Sequence, residues 1–332
     1  MRPRLAGLIK PFFAVSIIGM VKNAGKTTVL NYLMEELRKE GVRLALTSIG
    51  RDGESIDVVT NTEKPLIYVP MGTLIATARD LLKHCDISKE VLETTGINTP
   101  LGEVIITRAL SDGFVQLGGA STNNGILLLR EIFRANGAEK ILVDGAVSRR
   151  ALSSPAVTNA AILCTGASLN ADIEKVVTET AFIVKTFTLE KANENLIEAA
   201  AKIPQTLRLA LVDDDYGFTP FDFTGKIPPF KYILTRGAVS DSHISKLFAS
   251  NINLKNAEII IEDSTKLFIK PETFYRLLRK ECRLTVLNQI NLVALTINPY
   301  SVYSGSFDSG EFFNRMSENV SLPVFNVKDH GV

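Results

Sequence analysis

The chain has 332 residues, of which 45% are hydrophobic and 22% are charged, a balance that is typical of globular proteins and excludes disorder for most of the sequence. This length is enough for two domains or for one large domain. Thirty-seven Lys and Arg residues against 36 Asp and Glu residues give a net charge of +1, so no overall field attracts nucleic acid or an anionic membrane. We therefore expect neither as a partner.

Residues 1–21 combine basic and apolar residues, as a secretion signal does, but Lys10 and Pro11 interrupt the apolar run. No apolar stretch approaches the roughly 18 residues of a membrane span. The three cysteines, Cys85, Cys164 and Cys282, lack the C-x-x-C spacing of zinc and redox sites, which predicts free thiols in a reducing compartment. Together these features predict a cytoplasmic protein.

Strand-like and helix-like runs alternate along most of the chain, which predicts an α/β fold with a largely parallel sheet covered by helices. The predicted strands of the first half are residues 14–18, 43–47, 66–69, 104–108, 141–143 and 161–163. A helix follows the first strand, with one apolar face made of Val29, Leu30, Leu33, Met34 and Leu37. A second helix ends at Gly137, and we assign its apolar face to Leu127, Leu128 and Phe133.

A cluster of turn-forming residues follows a helical stretch at 190–202 and indicates a domain boundary. The cluster contains Asp213, Asp214, Asp215, Gly217, Pro220, Gly225, Pro228 and Pro229. A second alternation then begins, with predicted strands at 232–234, 258–261, 284–287 and 292–297. We therefore divide the chain into a larger domain, residues 1–205, and a smaller α/β domain, residues 206–332.

The segment between the first strand and the first helix, residues 19–28, reads Gly-Met-Val-Lys-Asn-Ala-Gly-Lys-Thr-Thr. A Gly-Lys-Thr sequence at a helix start directs backbone N–H groups and the positive end of the helix dipole toward an anion. In such loops the lysine reaches the β- and γ-phosphates and the threonine hydroxyl binds Mg²⁺. The sequence thus predicts a nucleotide-binding loop in the larger domain, formed by Gly19, Lys22, Asn23, Ala24, Gly25, Lys26, Thr27 and Thr28. An accidental helix start is the alternative.

The spacing of this loop differs from the usual G-x-x-x-x-G-K-[ST], because five residues separate Gly19 from Gly25 and Met20 occupies the position of the first glycine. The variant resembles the phosphate loop of the dethiobiotin-synthetase-like branch of P-loop NTPases. A second segment, Val143-Asp144-Gly145-Ala146 after a predicted strand, is similar to the acidic segment of that family. The resemblance covers about the first half of the chain and implies a P-loop NTPase-like domain.

This resemblance implies ATP and Mg²⁺ as ligands. It places Lys26 and Thr27 at the phosphates and the metal, and Asp144 at the metal. Val147 and Ser148 stand where the family continues with glycines, so the match ends there. The preference for ATP over GTP also comes from the resemblance, since the Asn-Lys-x-Asp guanine signature does not occur. A solvated carboxylate at a strand end is the alternative for Asp144.

Two more segments contribute candidate residues. The polar loop 47–54 follows the second strand, at the edge where parallel sheets bind ligands. There Asp52 is a candidate for the magnesium shell or for positioning an attacking group, and Arg51 for neutralising a transferred phosphoryl group.

Arg149 and Arg150 follow Asp144 closely, where a guanidinium pairs with phosphate or a substrate carboxylate. The predicted catalytic residues are Lys26, Asp52 and Arg149, and the predicted metal ligands are Thr27, Asp52 and Asp144. A surface turn at 51–54 and a solvated helix start at Arg149 are the simpler alternatives.

The loops 165–168 and Asn298-Pro299-Tyr300 also follow predicted strands. Small residues in the first allow a base or phosphate to approach closely, although a tight turn explains them as well. A proline-directed turn is the simpler interpretation of the second.

Three segments are similar to a small bacterial family associated with the adenosylcobalamin-dependent lysine 5,6-aminomutase. They are residues 46–54, 72–77 and 98–102. Members are regarded as reactivase subunits. The resemblance spans most of the chain and implies a nucleotide-driven accessory protein that assists the exchange of damaged cofactor, with the mutase and a second accessory subunit as partners.

Three functions therefore stay open. The first is a Mg-ATP-driven accessory protein with slow ATPase activity, in which contacts at Lys26 bias a movable loop near Asp52. The second is an ATP-dependent small-molecule kinase or ligase resembling dethiobiotin synthetase, with a substrate carboxylate held at Arg149 or Arg150. The third is a non-catalytic nucleotide-binding module. The sequence also leaves a homodimer open.

Overall fold

The computed structural model of the chain describes residues 4–49, 56–57, 62–63, 67–146, 157–224, 226–250, 252–303 and 305–326. These residues form two compact units. The first unit contains the described residues up to Ala181 and those from Asn291 onward, and the second contains Phe182–Ile290. In sequence, the second unit is therefore an insertion into the first.

The strands, in chain order, are β1 (Ala14–Gly19), β2 (Leu44–Ser48), β3 (Ile56–Asp57), β4 (Thr62–Glu63), β5 (Ile67–Val69), β6 (Leu74–Ala78), β7 (Lys89–Thr99), β8 (Gly102–Ala109), β9 (Gly113–Val115), β10 (Lys140–Ala146), β11 (Ala160–Gly166), β12 (Leu209–Val212), β13 (Phe218–Pro220), β14 (Tyr232–Thr235), β15 (Val239–Ser240), β16 (Glu258–Ile261), β17 (Leu267–Phe268), β18 (Arg283–Val286), β19 (Leu292–Asn298) and β20 (Val324–Asn326). The α-helices are α1 (Leu5–Ile9), α2 (Lys26–Lys39), α3 (Asn123–Ala135), α4 (Ile173–Phe187), α5 (Glu194–Lys202), α6 (Asp241–Ala249), α7 (Pro271–Arg279) and α8 (Ser309–Asn319). Among the described residues, 3-10 helices lie at Arg79–His84 and Ser264–Lys266. None of the helices in the described ranges combines the length and apolar character needed to cross a bilayer.

A nine-stranded sheet forms the centre of the first unit, in the order β20-β19-β11-β1-β10-β2-β6-β8-β7. The seven strands from β20 to β6 are parallel, and β8 and β7 complete the sheet as an antiparallel hairpin. The predicted α/β fold with a largely parallel sheet is thus confirmed. Each predicted strand overlaps an observed one, although the strand at 66–69 is β5, which lies outside this sheet. Strands β6, β7 and β20 of the sheet were not predicted. Outside this sheet, β3 pairs with β4 and β5 with β9.

Helices cover both faces of this sheet. On one face, Ile17 of β1 and Leu142 of β10 share a buried core with Leu33 of α2. On the other face, Val143 of β10 shares a core with Phe133 of α3. Successive side chains of a strand point to opposite faces, so neighbouring residues of β10 contribute to different cores. Burial on both faces explains why these strands are almost continuously apolar.

The two helix predictions had different outcomes. The predicted apolar face of α2 is confirmed, because all five residues are buried. The predicted face of α3 is wrong in part, since Leu127 and Leu128 are 38% and 45% exposed while Ile126 and Leu129 are buried. Positions 126, 129 and 133 lie on one helical face, but a run of four apolar residues leaves this phase ambiguous in the sequence. Phe133 is buried, as predicted.

The second unit contains a five-stranded sheet in the order β13-β12-β14-β16-β18. Strands β14, β16 and β18 are parallel, and β12 runs antiparallel to β14. Ile244 of α6 and Leu277 of α7 share its buried core with Ile259 of β16. A short parallel pair, β15 with β17, lies outside this sheet.

The units differ from the predicted division into residues 1–205 and 206–332. The predicted strand at 292–297 is β19, which pairs in parallel with β11 of the large sheet and not with the sheet of the second unit. Likewise, the second unit begins at Phe182, before the predicted boundary. A local cluster of turn residues cannot indicate which of two sheets a later strand joins, and this is why the prediction differs.

Lys140 anchors the N-terminal helix at the start of β10. The residue is only 4% exposed, and its ammonium donates to the carbonyl oxygens of Ile9 (2.8 Å), Lys10 (3.0 Å) and Phe12. An ammonium group has three donors, and the last carbonyls of a helix have no intrahelical partner. One buried lysine therefore satisfies the end of α1 and the turn that leads into β1.

We expect Lys140→Met to lower the free energy of unfolding by about 2–4 kcal/mol, because three carbonyl oxygens lose their donors at a buried site. Urea denaturation followed by circular dichroism measures this change. Lys39→Met, at the exposed end of α2, is the control and should change stability by less than about 0.5 kcal/mol. Equal effects of the two substitutions would contradict an anchoring role.

Candidate functional site

The loop of residues 20–25 joins the end of β1 to the start of α2, as the sequence predicts. Gly25 is the N-cap residue of α2 and has a φ of 91°, and Asn23 has a φ of 62°. Both values lie in the left-handed region, which Gly and Asn tolerate best. Left-handed residues in a turn gather successive N–H groups into a concavity that binds anions. The first turn of α2 adds N–H groups without intrahelical partners.

The loop leaves from the centre of the parallel sheet. Strand β1 lies between β10 and β11, and its last residue, Gly19, is in register with Ala146 and Cys164. The first residue of the loop, Met20, donates its N–H to the Cys164 carbonyl at 2.9 Å. The loop is therefore flanked by the carboxyl ends of two neighbouring strands, the edge at which parallel sheets bind ligands.

Gly19 makes room for the side chain of Lys26. A Cβ atom at position 19 would lie 2.8 Å from both Cδ and Nζ of Lys26, so a larger residue would force this flexible side chain to move. The lysine therefore folds back from the first residue of α2 across the end of β1. Lysines of phosphate loops hold an ammonium beside a cradle of N–H groups in this way. The contact also gives a reason for a glycine one residue earlier than in the usual spacing.

Asp144 lies on the same face of the sheet as this lysine. It is in register with Ile17 of β1 and Ser48 of β2. Asp144 comes two residues after Leu142, which faces α2, and residues two apart in a strand point to the same face. Burial raises the pKa of the Asp144 carboxyl, and the Lys26 ammonium opposes that rise. Unlike the three residues before it, Asp144 retains some exposure. A desolvated carboxylate near one ammonium is an environment that favours additional positive charge.

The loop before α3 closes over the end of β2, next to Asp144. The N–H of Gly119 donates to Ser48 Oγ at 3.1 Å, and a Cβ atom at position 119 would lie 2.0 Å from the Ser48 carbonyl oxygen. The N–H of Ile49 donates to the Asp144 carbonyl at 2.9 Å. The sequence did not predict this contact, for which the Gly118-Gly119 pair was the available signal.

A small concavity, about 10 Å³ in volume, lies beside the loop on the side away from Asp144. It is lined by Ala24, Gly25, Thr28, Val29, Thr296, Ile297 and Asn298. Asn298 ends β19 and is in register with Gly166 of β11, so both of the loops at 165–168 and 298–300 border this edge. The position of Asn298 beside Gly25 is a second contact that the sequence did not indicate.

The three cysteines are free, as predicted. Cys164 lies in β11 directly beside the loop, and burial raises the pKa of its thiol to about 12. A thiol with such a pKa is a poor nucleophile at neutral pH because almost none of it is thiolate. The contribution of Cys164 to this site is therefore its backbone carbonyl, which accepts the N–H of Met20.

The structure brings together most of the predicted site residues. Residues 19–28 run from the end of β1 into the first turn of α2, and Asp144 lies near Lys26. Arg51, Asp52, Arg149 and Arg150 lie outside the described residues. Within the described ranges, no three His, Cys, Asp or Glu side chains come together to hold a metal. Thr27 and Asp144 are the predicted metal ligands that the structure describes.

Comparisons of the chain with protein-family models, curated proteins and solved structures found no match. Function is therefore inferred from the residues and geometry of this chain.

The raised pKa of Asp144 predicts a specific pH dependence of stability. The folded state binds the carboxyl proton more tightly than the unfolded state does. Asp144 therefore contributes fully to stability at pH values below its ordinary pKa. This contribution is lost as pH rises through the raised pKa of the folded state. We therefore expect Asp144→Asn, which cannot ionise, to become progressively more stable than the parent as pH rises from 4 to 8.

Thermal and urea unfolding between pH 4 and 8 measure the difference. An Asp144→Asn variant that becomes less stable than the parent with rising pH would show that the carboxylate is favoured in the folded state.

Proposed function

We propose that the chain is a P-loop nucleotide-binding protein of the NTPase type that binds Mg-ATP at residues 19–28. The observation that carries this proposal is the placement of Lys26, whose side chain folds across Gly19 at the start of a helix and at the centre of a parallel sheet. The left-handed Asn23 and Gly25 support it, because they shape the turn as an anion-binding loop. A triphosphate has the charge and the length to use the loop and the helix start together.

The described residues also fit a magnesium ion. Thr27 and Asp144 provide hydroxyl and carboxylate oxygens, the hard ligands that Mg²⁺ prefers, and Mg²⁺ commonly takes only one or two protein ligands beside phosphate oxygens and water. Burial disfavours the negative charge of Asp144, and a divalent cation would compensate that charge. The bound ion would neutralise charge on the β- and γ-phosphates.

In this proposal the chain's own residues mainly bind and orient the nucleotide. The N–H groups of the loop and of the first turn of α2 hold the phosphates, and Lys26 places one ammonium beside them. Asp52 remains a candidate from the sequence for positioning an attacking group, and Arg51 for neutralising a transferred phosphoryl group. Arg149 remains a candidate for pairing with phosphate or a substrate carboxylate. Slow ATP hydrolysis is the reaction that this set of groups supports.

Lys26→Ala tests the nucleotide site. Removing the ammonium eliminates at least one charge-assisted contact, so we expect the affinity for Mg-ATP to fall at least roughly tenfold. Isothermal titration calorimetry of the full chain measures the affinity. Lys39→Ala, at the other end of the same helix, is the matched control and should bind like the parent. Equal affinity of the parent and Lys26→Ala would show that the loop does not bind the phosphates.

The accessory role is supported by sequence resemblance. Of the three segments similar to the reactivase family, residues 46–49 end β2, residues 72–77 lead into β6, and residues 98–102 form the tip of the β7–β8 hairpin. Their described residues belong to one half of the large sheet, on the side of β10 away from β1. We propose that the chain assists the reactivation of an adenosylcobalamin-dependent aminomutase, with a second accessory subunit.

Hydrolysis assays separate this role from the alternatives. We expect slow turnover of Mg-ATP by the purified chain and a several-fold change in its rate when an inactivated adenosylcobalamin-dependent aminomutase is added. Released phosphate measures turnover, and the recovery of mutase activity provides a second readout. Turnover that requires a small carboxylic acid or amine would instead indicate a kinase or ligase, and binding with no turnover would indicate a non-catalytic module.

A further inference from the structure

The tip of the phosphate loop is held by the end of β19. Asn298 donates its side-chain Nδ2 to the backbone carbonyl of Asn23 at 2.9 Å, although the two residues are 275 positions apart. The Asn298 side chain also lies against Gly25, where an added Cβ atom would be 3.3 Å from Asn298 Cβ. One side chain thus contacts both left-handed residues of the loop.

Asn298 is itself firmly placed. Its carbonyl accepts the N–H of Ala167 at 2.9 Å, and a Cβ atom at position 166 would lie 2.4 Å from that same carbonyl oxygen. The Asn298 side-chain oxygen accepts the N–H of Tyr300 at 3.3 Å. Because its backbone and side chain are fixed at the end of a paired strand, Asn298 can act as a rigid support for the loop.

The contact fixes the orientation of one peptide group. In a planar trans peptide the C=O and the following N–H point in opposite directions, so holding the Asn23 carbonyl toward Asn298 directs the Ala24 N–H away from it. If this peptide were to flip, the Asn23 carbonyl would replace the N–H and repel an anion. Asn23 donates its own Nδ2 to the Tyr303 hydroxyl at 3.2 Å, which adds a second support on the same residue.

We propose that Asn298 is a positioning residue that locks the Asn23–Ala24 peptide with its N–H directed toward the bound phosphates. The inference rests on the proposed nucleotide site and specifies how that site is kept ready to bind. Asn298 would then affect the binding of the phosphates and not that of the nucleoside.

The test compares two ligands, Mg-ATP and inorganic tripolyphosphate with Mg²⁺. A residue that positions the phosphate loop affects both, so we expect Asn298→Ala to weaken both affinities by the same factor, roughly five- to tenfold. Asn291→Ala is the matched control, because Asn291 precedes the same strand and makes the same kind of contact, from its Nδ2 to the Asn159 carbonyl at 2.9 Å. This control should leave both affinities unchanged.

A loss of ATP affinity alone would show that Asn298 contacts the nucleoside and would overturn the proposal, as would unchanged affinity for both ligands. Hydrogen exchange of the Ala24 amide in the ligand-free chain provides a readout that does not depend on nucleotide binding. Faster exchange in Asn298→Ala, but not in Asn291→Ala, supports the lock, and unchanged exchange overturns it. If the parent binds neither ligand, the nucleotide proposal fails while the exchange result still tests the lock.

If Asn298→Ala does not fold, Asn298→Asp removes the donor and keeps the size of the side chain. The same faster exchange of the Ala24 amide is then expected, and unchanged exchange overturns the lock.

Discussion

The parallel alignment of β11, β1 and β10 is the constraint on which the candidate site depends. Parallel strands end at one edge, so Gly19, Asp144 and Cys164 meet there although two of them lie more than a hundred residues from the third along the chain. Alternation along each strand then decides which side chains share a face. The sheet thereby brings residues that are distant in sequence into one local chemical environment.

The electrostatics of that environment are set by burial more than by net charge. The chain is almost neutral overall, yet the carboxyl at the end of β10 is desolvated and has an ammonium near it. Lys140, at the other end of the same strand, shows how a buried charge is accommodated when its role is structural, since three carbonyls take up its three donors. Asp144, by contrast, lies at the edge of the sheet, where the residue keeps some exposure. The Lys26 ammonium near it only partly offsets the effect of burial on its carboxyl.

Local patterns in the sequence were enough to predict the longer apolar strands of the first unit other than β6 and β7, the face of α2 and the loop between β1 and α2. They were not enough for features that depend on pairing across the chain. The apolar run of β19 is equally compatible with either sheet, and only the structure shows that it pairs with β11. The contact from Asn298 to Asn23 likewise requires that pairing. In α3, four consecutive apolar residues left the helical phase undetermined.

The insertion of one unit within the other affects how the protein is made. On the ribosome, residues 182–290 emerge before β19, and they contain a complete sheet of their own that can fold while the larger sheet still lacks two parallel strands. Pairing of β19 with β11 then closes a separation of about 130 residues, a step with a large entropic cost. The loop between β1 and α2 receives its support from Asn298 only at that stage, so the candidate site is completed late in synthesis.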